Sequence, residues 1–229
     1  MSVHEKTLPL SAPADPLRLL PFVPTAARRI LDFGCGAGQR LRALKERGAG
    51  EVVGVETVTP DPEASGAARV HTGALDTIEP PYDAGYFDCI LSDGALARLR
   101  DPSRVLARFR NLLAPGGLLV LSAPNVQYHR VFSMLVEGRW TYAPEGPFPR
   151  GQIRFYTGYE LHKLLGACGF TGVKLTGLEI DDAEAFPLGE DGQVRMGRIS
   201  VGPLAEGDHA PFLVREYLVL GRAADAEST

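Results

Sequence analysis

Short runs of mainly apolar residues alternate along the chain with stretches in which apolar residues recur every three or four positions. Nearly continuous apolar runs are typical of parallel strands that are buried on both faces. These runs predict strands over 28–33, 51–56, 68–71, 86–91, 118–122, 173–180 and 212–220. The three- to four-residue spacing predicts helices over 39–47, 102–113 and 157–169. Strands that alternate with helices indicate an α/β fold.

Two of these helices carry capping signals. Asp101 followed by Pro102 is a typical helix start, because a carboxylate caps free N–H groups and proline fits the first helical position. Thr157 with Glu160 three residues later matches a capping box, and Gly169 suits the position after the helix end. Both helices are therefore predicted with defined boundaries.

One predicted strand runs directly into three glycines at alternate positions. Gly34, Gly36 and Gly38 follow the strand over 28–33 and precede a helix. Glycine allows a sharp turn and the close approach of a ligand, and a helix N-terminus offers unpaired N–H groups. A dinucleotide fingerprint would need a glycine where Gln39 stands, and the Gly-Lys-Ser/Thr ending of a phosphate loop is absent.

The next strand ends in a carboxylate. Glu56 closes the strand over 51–56 and lies 18 residues after Gly38. A carboxylate at this place accepts hydrogen bonds from a ribose diol. The two features together predict a site for a nucleoside-containing ligand.

With these motifs the chain resembles the class I S-adenosylmethionine-dependent methyltransferases. Four segments carry the resemblance, in the order that this family has them. They are Leu31-Asp32-Phe33-Gly34-Cys35-Gly36-Ala37-Gly38, Val53-Gly54-Val55-Glu56, Gly85-Tyr86-Phe87-Asp88-Cys89-Ile90-Leu91, and 112–121 around Pro115-Gly116-Gly117. The resemblance implies a Rossmann-like, doubly wound, mostly parallel seven-stranded sheet with a last antiparallel strand and an insertion after strand 5.

The resemblance also implies S-adenosyl-L-methionine as cofactor and a set of residues that bind it. Asp76 is a weaker candidate for the adenine contact, and a turn or helix-capping role for it is equally open. Asp88 lies inside a strand, and its implied role is structural. The implied cofactor-binding residues are Asp32, Gly34, Gly36, Gly38, Glu56, Ala74, Leu75, Ser92 and Asp93.

The segment 123–158 is long for a crossover, and we interpret it as an insertion or lid on the acceptor side. Its Pro-Asn, Gly-Arg-Trp and Arg-Phe-Tyr-Thr pieces resemble a bacterial methyltransferase subgroup that is linked to saccharide, surface-polymer or natural-product genes. The Leu-Asp-x-x-His of that subgroup is replaced by 148–151, which leaves the acceptor class open. Trp140 and Tyr142 either cap the pocket or pack a homodimer.

Four residues near this insertion are candidates for chemistry. His129 is the candidate general base, because an oxygen or nitrogen acceptor must lose a proton. Asn125, Tyr128 and Arg154 are candidates for orienting the acceptor. The alternative for His129 is a hydrogen-bonded structural histidine, and the alternative for Arg154 is a structural ion pair.

Composition narrows the possible partners. The chain has 229 residues with a net charge of −4 and no basic run, which argues against a nucleic-acid partner. It has no apolar stretch long enough for a membrane helix and no signal pattern, so we expect a cytoplasmic protein without a membrane partner. Its three cysteines, which we expect to be buried, show no metal-site spacing.

We expect a single methyltransferase domain over 1–229, with a loose arm over 1–16, a loop with some ordered contact over 181–210 and a frayed tail over 222–229. The expected activity is methyl transfer to an oxygen or nitrogen of a small molecule, such as a saccharide or natural-product intermediate. Ala97 and Arg98 stand where relatives often have Glu and His. A non-catalytic protein that binds the cofactor on the same fold is therefore the alternative.

Overall fold

Seven strands form one sheet in a computed structural model that describes residues 15–66, 68–143, 149–196, 199–205 and 207–224. The strands of this sheet are β1 Arg29–Phe33, β2 Glu51–Glu56, β3 Arg69–Thr72, β4 Phe87–Asp93, β5 Leu113–Pro124, β6 Phe170–Ile180 and β9 Val214–Ala223. Their order in the sheet is β3-β2-β1-β4-β5-β9-β6. The helices are α1 Gln39–Glu46, α2 Pro102–Leu112, α3 His129–Val136, α4 Gly158–Ala167 and α5 Ala210–Leu213.

The pairing confirms the predicted fold class. Strands β3, β2, β1, β4 and β5 pair in parallel, and β9 lies antiparallel between β5 and β6. Helix α1 buries Leu41 and Leu44 in the apolar cluster on one face of the sheet. Helices α2 and α4 contribute Phe109 and Leu161, among others, to the cluster on the other face. The sheet is therefore doubly wound, as expected from apolar strands that alternate with amphipathic helices.

The predicted capping groups occupy their expected places. The carboxylate of Asp101 accepts from the Arg104 N–H at 3.1 Å, and the hydroxyl of Thr157 accepts from the Glu160 N–H at 3.3 Å. Gly169 follows α4 with a φ of +83°. Asp88 accepts from the backbone N–H groups of Arg28 and Arg29, which matches its structural role.

The segment 181–210, predicted as a loop with some ordered contact, also contains a short strand pair, so the prediction was incomplete. Strands β7 Val194–Met196 and β8 Ile199–Val201 form an antiparallel pair. Phe186, Val194, Phe212 and Leu213 form a small apolar cluster of their own. Acidic residues and glycines separate these apolar residues in the sequence. The apolar runs are therefore too short to predict the strand pair.

The two predicted chain ends are described only in part, and the described part of the C-terminal tail differs from expectation. Residues 1–14 of the predicted arm and 225–229 of the predicted tail lie outside the described residues. Arg222 and Ala223 belong to β9, and the Arg222 guanidinium donates to the Gly116 carbonyl at 2.8 Å, so these residues are ordered. Cys168 is half-buried rather than buried, because it follows the end of α4 near the surface.

Candidate functional site

The three glycines form a tight turn between β1 and α1. All three have positive φ, with values of +75° for Gly34, +58° for Gly36 and +92° for Gly38. A Cβ on Gly34 would lie 2.9 Å from the Ala95 Cβ, and a Cβ on Gly38 would lie 2.7 Å from the Ser65 Cβ. The outer glycines are therefore required by the packing of the protein itself. A Cβ on Gly36 would meet nothing within 4 Å, so this glycine faces open space.

The carboxylate of Glu56 lies beside this glycine turn. Its Oε2 accepts from the Gly36 N–H at 2.8 Å, and its Oε1 accepts from the Thr57 N–H at 2.6 Å and the Thr57 hydroxyl at 2.9 Å. A carboxylate has about four lone-pair positions, so acceptor capacity remains for a ligand hydroxyl. The structure thus brings the two predicted cofactor motifs into direct contact.

The predicted adenine contacts follow the next strand. The Gly73 N–H donates to the Glu56 carbonyl at 2.9 Å, which places Ala74 and Leu75 just past the end of β3. Ala74 is exposed, and Leu75 is partly buried against the main apolar cluster. Both lie on the Glu56 side of the glycine turn, where the adenine and ribose were expected.

Asp76 has a bracing role within the chain. Its Oδ1 accepts from the backbone N–H groups of Arg100 at 2.7 Å and Asp101 at 3.1 Å. Its carboxylate therefore ties the turn after β3 to the start of α2. These contacts are structural but long-range, so they differ from the local turn or helix-capping role that was left open for this residue.

Asp32 is fully buried under the glycine turn and is paired with an arginine. Arg40 donates to Asp32 through Nε and Nη2, both at 3.0 Å, and its Nη1 donates to Asp93 at 2.8 Å. The same guanidinium reaches the carbonyls of Gly34 at 3.3 Å and Pro16 at 3.2 Å. Burial raises the pKa of Asp32 above its usual value in spite of this partner. Arg40 was missed from the sequence, because its only signal is a charged residue on the inner side of α1.

Asp93 ends β4 and joins the glycine turn to a second arginine. Its Oδ1 accepts from Arg18 at 2.7 Å and from the Ser122 hydroxyl at 2.6 Å. Burial alone would raise the pKa of Asp93, but Arg18 and Arg40 hold it below its usual value. Ser92 is buried one residue earlier. The structure therefore brings Asp93 to the same edge of the sheet as the glycine turn, as predicted.

Arg18 reaches this edge from the segment before β1. Besides Asp93, it donates to Glu179 at 2.6 Å and Glu216 at 2.7 Å. Glu179 and Glu216 are neighbours on β6 and β9, and Arg215 also pairs with Glu179 at 2.8 Å. These ion pairs join residues that are far apart in sequence, and no local sequence pattern identifies them.

His129 and Tyr128 converge on one carboxylate. The Tyr128 hydroxyl donates to Asp181 Oδ2 at 2.6 Å, and His129 Nε2 lies 2.9 Å from the same oxygen. The His129 ring is buried and stacks on Phe186 at 5.2 Å between centroids. Burial holds the pKa of His129 below its usual value, so the ring is neutral near pH 7. Asp181 was not singled out from the sequence, since it lies in the segment predicted as a loop.

Asn125 and Arg154 are engaged with the backbone. The Asn125 amide donates to the carbonyls of Pro211 and Val214, both at 2.8 Å, and its oxygen accepts from the Gln127 N–H at 3.0 Å. Arg154 donates to the carbonyls of Leu99 and Arg100. In this arrangement, Asn125 fixes the chain before β9 and Arg154 fixes the segment after β4.

The arrangement of the glycine turn and Glu56 fits a nucleoside. The glycine turn leaves open space above Gly36, and Glu56 beside it retains acceptor capacity for a ribose. From Glu56 the sheet order leads across β1 to Asp93 on β4, so an extended ligand would lie along the carboxyl edge.

No helix among the described residues is long and apolar enough to cross a membrane.

Comparison with known proteins identifies the family to which the chain belongs. A family model described as "Methyltransferase domain" matches residues 6–175. The ubiquinone biosynthesis O-methyltransferase of Psychrobacter arcticus is 28% identical over 67% of this chain and 63% of its own length. The tRNA U34 carboxymethyltransferase of a Geobacter species (strain M21) is 29% identical over 68% of this chain and 49% of its own length. The chain thus spans about half to two thirds of the length of these curated relatives.

A solved structure shows the same fold. The chain superimposes on a SAM-dependent methyltransferase from Archaeoglobus fulgidus with a TM-score of 0.64 and 17% identity, covering 90% of this chain and 92% of the other. The family model covers well over half of the chain and includes the glycine turn and Glu56. The chain therefore belongs to the methyltransferase domain family, whose cofactor is S-adenosyl-L-methionine, and has the Rossmann-like fold of these methyltransferases.

Proposed function

We propose that the protein transfers a methyl group from S-adenosylmethionine to an oxygen or nitrogen atom of a small molecule. The observation that carries this proposal is the contact between the glycine turn and the Glu56 carboxylate, with open space above Gly36. S-adenosylmethionine supplies a sulfonium methyl group for in-line displacement, so the protein's main task is to hold the donor and acceptor in line.

In this proposal, different residues of the chain bind different parts of the cofactor. Glu56 accepts from the ribose hydroxyls, Ala74 and Leu75 line the adenine, and the glycine turn lies under the centre of the molecule. The methionine end lies towards Ser92 and Asp93. Asp32 acts through Arg40, which supports the turn from below.

The acceptor in this proposal is a saccharide or natural-product intermediate, bound beneath the insertion over 123–158. Trp140 and Phe155 are half-exposed and lie edge to face with ring centroids 5.4 Å apart, which is a surface typical of small-molecule recognition. The ubiquinone methyltransferase among the relatives supports a small molecule, and the tRNA enzyme represents the competing class. The net charge of −4 favours the small molecule.

His129 is the proposed general base, and its contact with Asp181 supports this role. If Nε2 carries the proton that Asp181 accepts, Nδ1 is the basic nitrogen. We expect the rate to fall as the pH drops through the His129 pKa, which burial places below the usual histidine value. The measurement is the pH profile of product formation. A profile that is identical in His129→Gln would exclude this role for His129.

The acceptor class is tested by measuring S-adenosylhomocysteine release with three pools of acceptors: phenols and sugars, amines, and transfer RNA. Release with the first or second pool alone supports the proposal. Release with transfer RNA alone contradicts the small-molecule assignment.

Glu56→Gln is expected to weaken S-adenosylmethionine binding about 10- to 100-fold, because charge-assisted hydrogen bonds to the ribose are lost. The amide also places an NH2 group against one of the donors that Glu56 now accepts from. Titration calorimetry measures the change, with exposed Glu46→Gln on α1 as the control of equal charge. Unchanged affinity in Glu56→Gln would contradict the placement of the ribose.

The alternative is a non-catalytic protein that binds the cofactor on the same fold. Two features favour this alternative. Ala97 and Arg98 replace the Glu-His pair that relatives often have. The Arg18 guanidinium also lies against Asp93 and Ser122 at the carboxyl edge of the sheet. Cofactor binding without S-adenosylhomocysteine release from any pool would support this alternative.

A further inference from the structure

A continuous ion-pair network runs along the carboxyl edge of the sheet, from the glycine turn to β6. It begins under the turn, crosses β4 and ends at the neighbouring glutamates of β6 and β9. Each member has at least one oxygen-to-nitrogen distance of 3.0 Å or less to another member. The members are Asp32, Asp93, Glu179, Glu216, Arg18, Arg40 and Arg215.

The charges in this network do not balance. Among the described residues it holds four carboxylates and three guanidinium groups, which leaves one negative charge in excess when all are ionised. Arginine stays protonated at any relevant pH, so only a carboxylate can relieve the excess by taking up a proton. The network is therefore one positive charge short of balance.

Glu216 is the carboxylate whose negative charge the arginines of the network compensate least. Asp32 and Asp93 each contact Arg40, and Glu179 has Arg215 as well as Arg18. Among the described residues, the one guanidinium that pairs with Glu216 is that of Arg18, which also pairs with two other carboxylates. It is buried and lies beside Glu179 in the sheet, so it has a like charge as its neighbour.

The network lies on the side of the glycine turn where the methyl-bearing end of the cofactor belongs. Glu56 on β2 marks the ribose side, and β1, β4, β5 and β9 follow in order across the sheet. Arg40 contacts both the Gly34 carbonyl and Asp93, which links the network to the turn itself. S-adenosylmethionine differs from S-adenosylhomocysteine by one methyl group and one positive charge, the sulfonium.

We propose that the unbalanced carboxylate of Glu216 makes the site prefer the charged donor to its neutral product, so that Glu216 is a specificity-determining residue for the cofactor. This inference rests on the proposed function, since it assumes that the cofactor lies along this edge. Binding of the donor supplies the missing positive charge, and transfer of the methyl group removes it again. The unbalanced charge thereby favours exchange of the product for a new donor molecule.

The preference for S-adenosylmethionine over S-adenosylhomocysteine is expected to depend on pH. The groups that face Glu216 are Arg18 from the N-terminal segment, Asp93 and Ser122 from β4 and β5, and Glu179 from β6. Burial raises the pKa of Glu216 above its usual value. Protonation of Glu216 on acidification removes the excess charge, and we expect it to lower the preference for the donor.

The test is the ratio of the two affinities, measured by titration calorimetry with S-adenosylmethionine and S-adenosylhomocysteine on the full chain. Glu216→Gln keeps an oxygen to accept from Arg18 but removes the charge. We expect the ratio in favour of the donor to fall roughly 2- to 30-fold, the range that two unit charges about 8 Å apart give between a water-like and a partly buried site. Glu160→Gln on the exposed start of α4 removes the same charge elsewhere and leaves the ratio unchanged.

The native chain provides a second measurement that needs no variant. Its ratio is expected to fall as the pH is lowered from neutral into the acid range, because protonation of Glu216 removes the excess charge. Groups that do not sense the sulfonium cancel in this ratio. A ratio that is unchanged in folded Glu216→Gln, or a native ratio that is independent of pH, would overturn the inference alone. Failure of both ligands to bind the native chain would overturn the proposed function as well.

Discussion

Arg40→Met is expected to destabilise the protein by about 3–5 kcal/mol, because it leaves the fully buried Asp32 carboxylate without its counter-ion. For a domain of this size, such a loss lowers the melting temperature by roughly 10 °C. The guanidinium also holds the Gly34 carbonyl, so the variant is expected to lose order in the glycine turn. Thermal unfolding followed by circular dichroism measures the effect.

The pH dependence of the stability loss in Arg40→Met distinguishes an effect of charge from an effect of packing. Burial already raises the pKa of Asp32 in the folded protein, and removal of Arg40 raises it further. The folded variant therefore binds a proton more readily than its unfolded chain, and it gains stability as the pH falls. The gap between variant and native protein should be widest at neutral pH and narrow on acidification. Arg42→Met, on the exposed side of the same helix, should leave the melting temperature unchanged. A gap that is independent of pH would show that packing, not charge, carries the effect.

Gly36→Ala is expected to weaken S-adenosylmethionine binding roughly tenfold or more, because the added methyl group enters the space above the turn. The positive φ of +58° costs an alanine roughly 1–2 kcal/mol of stability. Gly48→Ala is the matched control, since Gly48 also has a positive φ of +84° and open space around its Cβ. Gly48 lies past the end of α1, away from the turn.

The two alanine variants should lose similar stability and differ in binding alone. Calorimetric titration and thermal unfolding on the same preparations provide both measurements. Equal affinities in Gly36→Ala and Gly48→Ala would contradict the placement of the cofactor above the turn.

The parts of the fold that were predicted correctly are those with a local periodic signal. The apolar run of β2 predicts its bounds, and Thr157 predicts the start of α4, because strand burial and helix capping depend on neighbours in sequence. Strand β5 begins at Leu113 rather than 118, since its first residues include Pro115 and two glycines that resemble a turn. Its pairing with β4 shifts register at this place.

The parts of the site that escaped prediction depend on contacts between distant residues. Asp32 and Glu56 follow from motif spacing, but Arg18 meets Glu216 across 198 positions. His129 was singled out for its position after β5, whereas Asp181 becomes its partner only because β6 ends beside α3. Charge networks of this kind leave no periodic pattern, so a sequence reveals the residues and not their pairing.

A calorimetric titration of the native chain with S-adenosylmethionine and with S-adenosylhomocysteine tests directly whether the glycine turn and Glu56 bind the cofactor. We predict saturable binding of both ligands, with dissociation constants in the micromolar range that is usual for enzyme ligands. We also predict that S-adenosylmethionine leads to S-adenosylhomocysteine release once an acceptor is supplied. Absence of binding by both ligands would contradict the assignment of the glycine turn and Glu56 as a cofactor site.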